Sequence, residues 1–493
     1  MSFNSAIFVG FLAGVTAVYY LVPRLAKPYF LLLASYAFYL YQPQNARLVV
    51  LLLAVTLVTW AAGLAIGRLA NAWARRGFLL LSLAVCLGIL LFYKYAGFFG
   101  GIWAGLTGRP NAAAGLDLIA PLGLSYFTFQ SLGYVIDVCQ RQAEPEKNPL
   151  KYALFVSFFP CIFTGPIERK GHLLPQLDAP RPFDYGRVSG GAARVLWGYV
   201  KKMVIADNLA VFVRGVYQTA GSCAGPYLAA ASLLFSYQLY MDFSGCCDIA
   251  IGGAQMLGVD LLENFHRPFA ACSYTELWNR WHISLTSWFR DYIFTPLSFY
   301  NRGAPGVWGR LQGWFNVFVI FPISGLWHGA GLGYVLWGVL NGAFLVAGKA
   351  TARWRRRLAR RNPLYRSRLI KTVVQRGCVY LLFTVCIVFF ACELYGAEPF
   401  AVYGGMLRGW GAALEGGLAS LGQGFARLGL DGATAGMLAL AGLFVALVEA
   451  RGPVAGWFRR QWFFVRWPVY YALCLLLLFF GAFGQSAFIY QQY

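Results

Sequence analysis

The feature that most limits how this chain can fold is the layout of its apolar residues. Ala6–Leu21, Tyr29–Tyr41, Leu48–Ile66 and Phe78–Phe92 are near-continuous apolar runs separated by short polar joints. A bilayer-crossing helix needs roughly 20 apolar residues at 1.5 Å rise, and shorter ones serve when kinked or packed. Such runs recur to near Tyr493, so the chain is predicted to be an all-α polytopic membrane protein with roughly 10–14 transmembrane or re-entrant helices. The first run lacks a basic leader and a small-residue cleavage site, and is expected to be a retained span. The whole chain reads as a single integral membrane domain with no soluble part. Only 12% of residues are charged, about half the usual share in soluble proteins.

A net charge of +22 raises the question of nucleic acid, but its distribution argues against such a partner. The basic residues cluster in alternate loops: Arg24 and Lys27; Arg68, Arg75 and Arg76; Arg353 to Arg376; and Arg451 to Arg466. Alternation is what the positive-inside rule produces. These loops are therefore expected in the cytoplasm, with both termini extracytoplasmic and the chain multi-pass in the cell inner membrane. Anionic membrane lipids account for most of this charge. A smaller share is expected to help hold a phosphate-rich small molecule. The 11 cysteines show no C-x-x-C pair. Cys86, Cys386 and Cys474 lie inside apolar runs, and the adjacent Cys246 and Cys247 read as packing rather than as a metal site.

Texture divides the chain into N-terminal spans (1–119), a polar-studded core (120–350) and C-terminal spans (351–493), with a Gly-rich loop expected around Gly404–Gly432. No internal repeat of the kind secondary transporters carry is evident. Ionisable groups near hydrocarbon cost several kcal/mol unless paired or wetted, which makes each a candidate for function. Of these, Asp242, Asp248, Arg290 and Asp291 are expected to form a structural polar network.

Four histidines occur: His172, His266, His282 and His328. His328 lies within residues 318–342, with about a dozen largely apolar residues on each side, near mid-bilayer depth if the segment spans. Gly329, Gly331 and Gly333 follow at once, so the helix is expected to break there and line a wet or protein-filled cavity. His282 follows Ser273-x-x-Glu276, a capping box that predicts a helix start. On that helix Asn279, His282 and Thr286 are predicted to share one polar face. Trp278, Trp281, Leu285, Trp288 and Tyr292 form an aromatic stripe, which suits simple packing or a cavity wall equally.

Together these residues resemble a known family. Trp278-Asn279-Arg280-Trp281-His282-Ile283-Ser284-Leu285, then Trp288-Phe289-Arg290-Asp291-Tyr292-Ile293, is similar to the core motif of bacterial membrane-bound O-acyltransferases (MBOATs). So are Gly325-Leu326-Trp327-His328-Gly329, Pro121 through Asp137, Phe158 through Ile167, Asp242 through Gly252, and Glu263-Asn264-Phe265. The ordered set runs from about 120 to 345, and Phe488-Ile489-Tyr490 is similar too. Within the family, the resemblance is greatest to members that O-acetylate alginate, cellulose and peptidoglycan. One departure is Pro296-Leu297-Ser298-Phe299-Tyr300-Asn301-Arg302, where relatives commonly carry two glycines.

The resemblance implies an MBOAT fold of helices around a central tunnel, with His328 essential and His282 the second histidine. Acyl transfer from a thioester to a hydroxyl needs a base, and an imidazole with an unperturbed pKa near roughly 6.5 suits it. His328 takes that role. His282 or Asn279 would orient it or polarise the thioester carbonyl. Trp281, Trp288 and Trp327, with Arg280 and Ser284, are the candidate tunnel and substrate residues. No bound cofactor or metal is expected; an acyl thioester, acetyl-CoA or similar, would be co-substrate. The implied acceptor is an extracytoplasmic polysaccharide, or a periplasmic SGNH-type partner that modifies it. The alternatives are D-alanyl transfer to teichoic acid and a transporter or flippase of an acylated intermediate.

Overall fold

In a computed structural model the described residues are 3–109, 121, 123–300, 306–362, 367–415, 417–452, 454–483 and 489, and among them no β-strand occurs. Among the described residues six helices are long and apolar enough to cross a bilayer: Asn45–Arg68, Ala72–Thr107, Leu332–Ala350, Arg368–Tyr395, Gly432–Ala450 and Phe463–Phe480. Ala6–Leu21 is apolar but shorter. The remaining elements are mostly short helical pieces, including π-helical turns at Val200–Ala206 and Arg290–Phe294. Asn301 and Arg302, the far end of the departure from the family pattern, lie outside the described residues, as do Phe488 and Tyr490.

The chain divides into two compact units, Met1–Leu196 with Cys246–Glu263, and Trp197–Gly245 with Asn264–Tyr493. In the first, helices Ala6–Leu21, Lys27–Leu40, Pro43–Arg68 and Ala72–Thr107 carry the four leading apolar runs, the last extending well beyond its run at both ends. Several of the buried polar groups inside this unit are paired with one another or with the backbone. Tyr152 donates to Thr59 Oγ1 at 2.8 Å, and Gln130 donates to the Phe155 carbonyl. Glu168, 1% exposed, accepts from the Leu262 N–H and meets His172 Nδ1, each at 2.7 Å. That hydrogen bond to Glu168 raises the His172 pKa above its ordinary value. Asp248 accepts from Arg194 Nε at 2.9 Å, and Arg194 also grips Glu263.

The second unit holds its own buried ion cluster. The π-helical turn places Lys202 between Asp207 at 2.7 Å and Asp242 at 2.5 Å, all three nearly inaccessible. Removing one partner from such a pair costs about 3–5 kcal/mol, since a buried charge is left behind. Of the four residues expected to form a polar network, Asp242 and Asp248 are both ion-paired. Each aspartate pairs with a basic residue of its own unit, while Arg290 and its neighbour Asp291 pair at 3.1 Å.

The segment around His328 forms a hairpin rather than one interrupted span. Gly306–His328 runs up to the histidine and Leu332–Ala350 returns antiparallel beside it. Glycines make the close approach possible. Gly325 faces the Tyr334 carbonyl, Gly338 faces the Phe321 carbonyl, and Gly342 faces the Phe318 carbonyl at 2.9 Å from where a Cβ would sit. Pro322 lies inside the first helix; lacking an N–H, it leaves the Phe318 carbonyl without its usual helical donor. The expected Gly404–Gly432 loop is also corrected. It is largely helical (Pro399–Met406, Trp410–Leu414, Gly417–Arg427), punctuated by Gly409, Gly417 and Gly429 in the left-handed region, where glycine carries no Cβ penalty.

Candidate active site

The site is assembled wholly within the second unit, from two stretches of chain. Its first part is the segment from Ser273 to Phe294. Ser273 caps the helix Tyr274–Trp278 by accepting from the Glu276 N–H, and Glu276 reaches back to the Cys272 N–H at 2.7 Å. The helix start read from the capping box is therefore present. The single continuous helix is not. It ends at Trp278, and a second begins at Ile283, with His282 between them at φ 43°, ψ 55°.

The cause lies in residues 264–266, which take over the backbone groups a helix would have used. Asn264 accepts from the Ile283 N–H through its carbonyl at 2.9 Å, and from the Ser284 N–H and Oγ through its side chain. The His266 N–H bonds to the Arg280 carbonyl. The new helix starts with its N–H groups already satisfied from outside, and the chain can turn sharply at His282. A non-glycine residue with positive φ is uncommon, and strain of this kind clusters at functional sites.

The second part is the hairpin. His328 is the last residue of its first helix and is 4% exposed; His282 is 2% exposed. Aromatic rings hold both imidazoles edge-on. His282 meets Phe243 at 4.7 Å and Trp327 at 5.9 Å, and His328 meets Trp327 at 4.8 Å, Trp337 at 5.1 Å and Phe390 at 5.4 Å. Trp327 thus touches both histidines.

Both imidazoles line one cavity of about 190 Å³, shared with Asn279, Trp281, Thr286, Arg290, Ser324 and Lys349 among others. Its lining is mostly apolar, with Trp278, Leu285, Phe289, Ile320 and Phe321 in the wall. Along the hairpin, lining residues run from His328 down to Val317, about 16 Å at the helical rise. Pairing is antiparallel, so the Val317 end lies toward Leu345 and Lys349. The cavity therefore has imidazoles at one end and a lysine toward the other, with Arg290 also in its wall. Outside the cavity, the Glu276–Arg280 pair braces the first helix at 2.6 Å. Burial opposes ionisation of Glu276, but the Cys272 N–H and the Arg280 guanidinium outweigh it and hold the carboxyl below its usual range.

Of the residues singled out from sequence, His328, His282, Asn279, Trp281 and Arg290 meet at this cavity. Trp327 packs behind it, against the histidines. Trp288 packs on Phe289 and Tyr292, Arg280 is taken by Glu276, and Ser284 by Asn264, so these three support the segment without lining the space. Ser324, Phe321 and Val317 were not singled out. They stand four, seven and eleven residues before His328, the stripe of one helix face, and that spacing would have found them. Lys349 had no such signal, because its place depends on the hairpin.

Residues 122–392 match the model of the MBOAT, membrane-bound O-acyltransferase family. The chain is 35% identical over 364 residues to the probable alginate O-acetylase of Pseudomonas syringae pv. tomato, covering 71% of this chain and 66% of that protein. It is 32% identical over 384 residues to the peptidoglycan O-acetyltransferase of Helicobacter pylori, covering 71% and 70%. It is 26% identical over 266 residues to the teichoic acid D-alanyltransferase of Bacillus subtilis, covering 53% and 67%. The matched part of the chain thus spans just under two thirds of the alginate relative's length.

Proposed function

Because this chain belongs to the membrane-bound O-acyltransferase family, we propose that it transfers an acyl group, first of all acetyl, from a cytosolic thioester to an extracytoplasmic acceptor. The observation that carries this reading is a cavity with two buried histidines at one end and Lys349 toward the other. A thioester on a long anionic arm, such as acetyl-CoA, suits that shape. Its acyl carbonyl reaches the imidazoles while its phosphates stay with Lys349 and Arg290. The 16 Å of apolar wall keeps water from the thioester.

In the transfer, His328 takes the proton of the attacking hydroxyl as the new C–O bond forms. His282 or Asn279 donates toward the carbonyl oxygen as charge gathers on it, a contact worth about 2.7–4 kcal/mol in other enzymes. The tetrahedral adduct collapses, the C–S bond breaks, and the departing thiolate receives the proton from His328. The acceptor is a polysaccharide hydroxyl, or a hydroxyl of a periplasmic SGNH-type partner that passes the acetyl group on. The names of the alginate and peptidoglycan relatives favour acetyl over D-alanyl, given their higher identity and wider coverage.

The proposed sidedness puts the protein in the inner membrane with the helix Ala352–Arg361 in the cytoplasm. That helix carries Arg353, Arg355, Arg356, Arg357, Arg360 and Arg361 and buries none of its residues. It follows directly on Lys349, so the Lys349 end faces the donor and the His328 turn faces the acceptor. Cysteine labelling should find Arg355–Arg361 and Gly404–Gly432 on opposite faces; reaction of both from one face would overturn this arrangement. His328→Ala is expected to leave the protein inserted while lowering acyl transfer by roughly 10²–10⁴-fold or more. Near-normal O-acetylation by a well-expressed mutant would refute the assignment.

A further inference from the structure

The turn that carries His328 is gripped by a residue of a different helix. Glu393, near the end of Arg368–Tyr395, accepts the Gly333 N–H through Oε1 at 2.5 Å, sixty positions away in sequence. Gly331 is the N-cap of the returning helix and has no side chain with which to cap it. The first N–H groups of a helix lack internal partners, and a carboxylate both accepts from them and complements the helix dipole. Although Glu393 as a residue is exposed, its side chain is wedged into the turn. A Cβ on Gly331 would fall on the carboxylate itself, and one on Gly333 would lie 2.6 Å from Cγ. The two glycines therefore leave the room that this side chain fills.

Its neighbours tie the grip to the imidazole. Phe390, one turn earlier on the same helix, sets its ring 5.4 Å from His328 and 5.0 Å from Tyr334. The Tyr334 ring in turn occupies the space over Gly329, the residue after the histidine. Trp337, one turn beyond Gly333, meets His328 edge-on at 5.1 Å. Trp337 and Phe390, which both pack on His328, thus belong to the two helices that the Glu393–Gly333 bond joins.

We propose that Glu393 is a positioning residue, whose carboxylate fixes the Gly329–Gly333 turn and thereby holds the His328 imidazole at the cavity. The inference rests on His328 acting as the base, as proposed above. It requires an acceptor atom at Oε1, and it assigns Glu393 no contact with substrate.

The test uses the detergent-purified full chain with acetyl-CoA as probe, comparing wild type, H328A, E393A, E393Q and G331A. For E393A, kcat should fall at least about tenfold, on the scale that small displacements of a reacting group command, with KM for acetyl-CoA nearly unchanged. Glutamine keeps an oxygen at the same reach, so E393Q should recover most of that loss. G331A leaves Glu393 in place but displaces its carboxylate, and should imitate E393A; it carries the test where E393A fails to accumulate. Adding G331A to E393A should cost little more than E393A alone, since the methyl then occupies vacated room. Normal kcat in E393A, or an E393Q as damaged as E393A, overturns the proposal. A wild type that does not turn over, or an H328A as active as wild type, defeats the reading of the site and this inference with it. A dead H328A beside a normal E393A defeats the Glu393 inference alone.

Discussion

Gly338→Ala probes whether the hairpin's close approach governs the site. Gly338 follows Trp337, which packs on His328, and faces Phe321, which lines the cavity. A Cβ there would meet the Phe321 carbonyl group, with its carbon at 2.7 Å, and Pro322 Cα at 2.9 Å. These are backbone atoms of the opposite helix, so no side-chain rotation can make room. Moving the carbonyl carbon from 2.7 Å out to the 3.4 Å of ordinary contact parts the helices by at least about 0.7 Å, and the nearer carbonyl oxygen demands more. Overpacking of this kind costs about 1–3 kcal/mol in stability. It also draws Trp337 away from the opposite wall, and a 1 Å misplacement of reacting groups costs on the order of 10²-fold. A loss in kcat of roughly ten- to a hundredfold is expected, with a lowered melting midpoint. The control is Gly14→Ala in the first helix, where nothing lies within 4 Å of the new Cβ. That change should leave melting unchanged or raise it slightly, since glycine weakens a helix interior by roughly 0.5–1 kcal/mol relative to alanine. Thermal melting and acetyl-CoA turnover of the purified variants give the answer. A Gly338→Ala protein with wild-type midpoint and turnover would refute the claim that helix separation sets the site.

Two further outcomes follow from the same geometry. His282→Ala and His282→Gly should lose activity alike, but the glycine variant should melt higher, because the left-handed backbone costs an L-residue roughly 1–2 kcal/mol that glycine escapes; the reverse order would mean that this backbone conformation is not held. Lys349→Glu should raise KM for acetyl-CoA on the order of tenfold or more, the loss of a charge-assisted contact, while kcat changes little; an unchanged KM would remove Lys349 from the donor's path.

Much of the fold was legible because hydrocarbon leaves few choices. Each of the first four apolar runs lies in a helix, though the fourth helix, Ala72–Thr107, extends well past the Phe78–Phe92 run, and the capping box at Ser273 marked a real helix start. What periodicity could not supply was the partner of each backbone group. The helix predicted through Asn279, His282 and Thr286 breaks because Asn264, fifteen or more residues earlier, accepts the N–H groups of Ile283 and Ser284. The residues still reach one cavity, by a turn rather than a common face. Gly404–Gly432 misled in the opposite direction, since glycines that suggested a loop serve as stops between short helices. The glycines after His328 did announce a break, but only tertiary contacts decide that the chain reverses there.

The difference between a broken span and a hairpin changes the chemistry the site can support. A histidine in the middle of one span would stand far from both surfaces, and acceptor and donor would each need a deep path to it. At the end of Gly306–His328, the imidazole lies about 28 Å, measured along the returning helix, from the basic end that follows Lys349. Donor and acceptor can then approach from opposite ends of one helical pair. On the proposed reading, the donor's phosphates would remain with the cationic end, and only its slender arm would occupy the apolar cavity. The strained backbone at His282 fits this division, since it sets a second imidazole in the same wall at a place a regular helix would not put it. Strain that persists beside a tightly packed hairpin needs support from around it, and Asn264, Phe243 and Trp327 supply that support at His282.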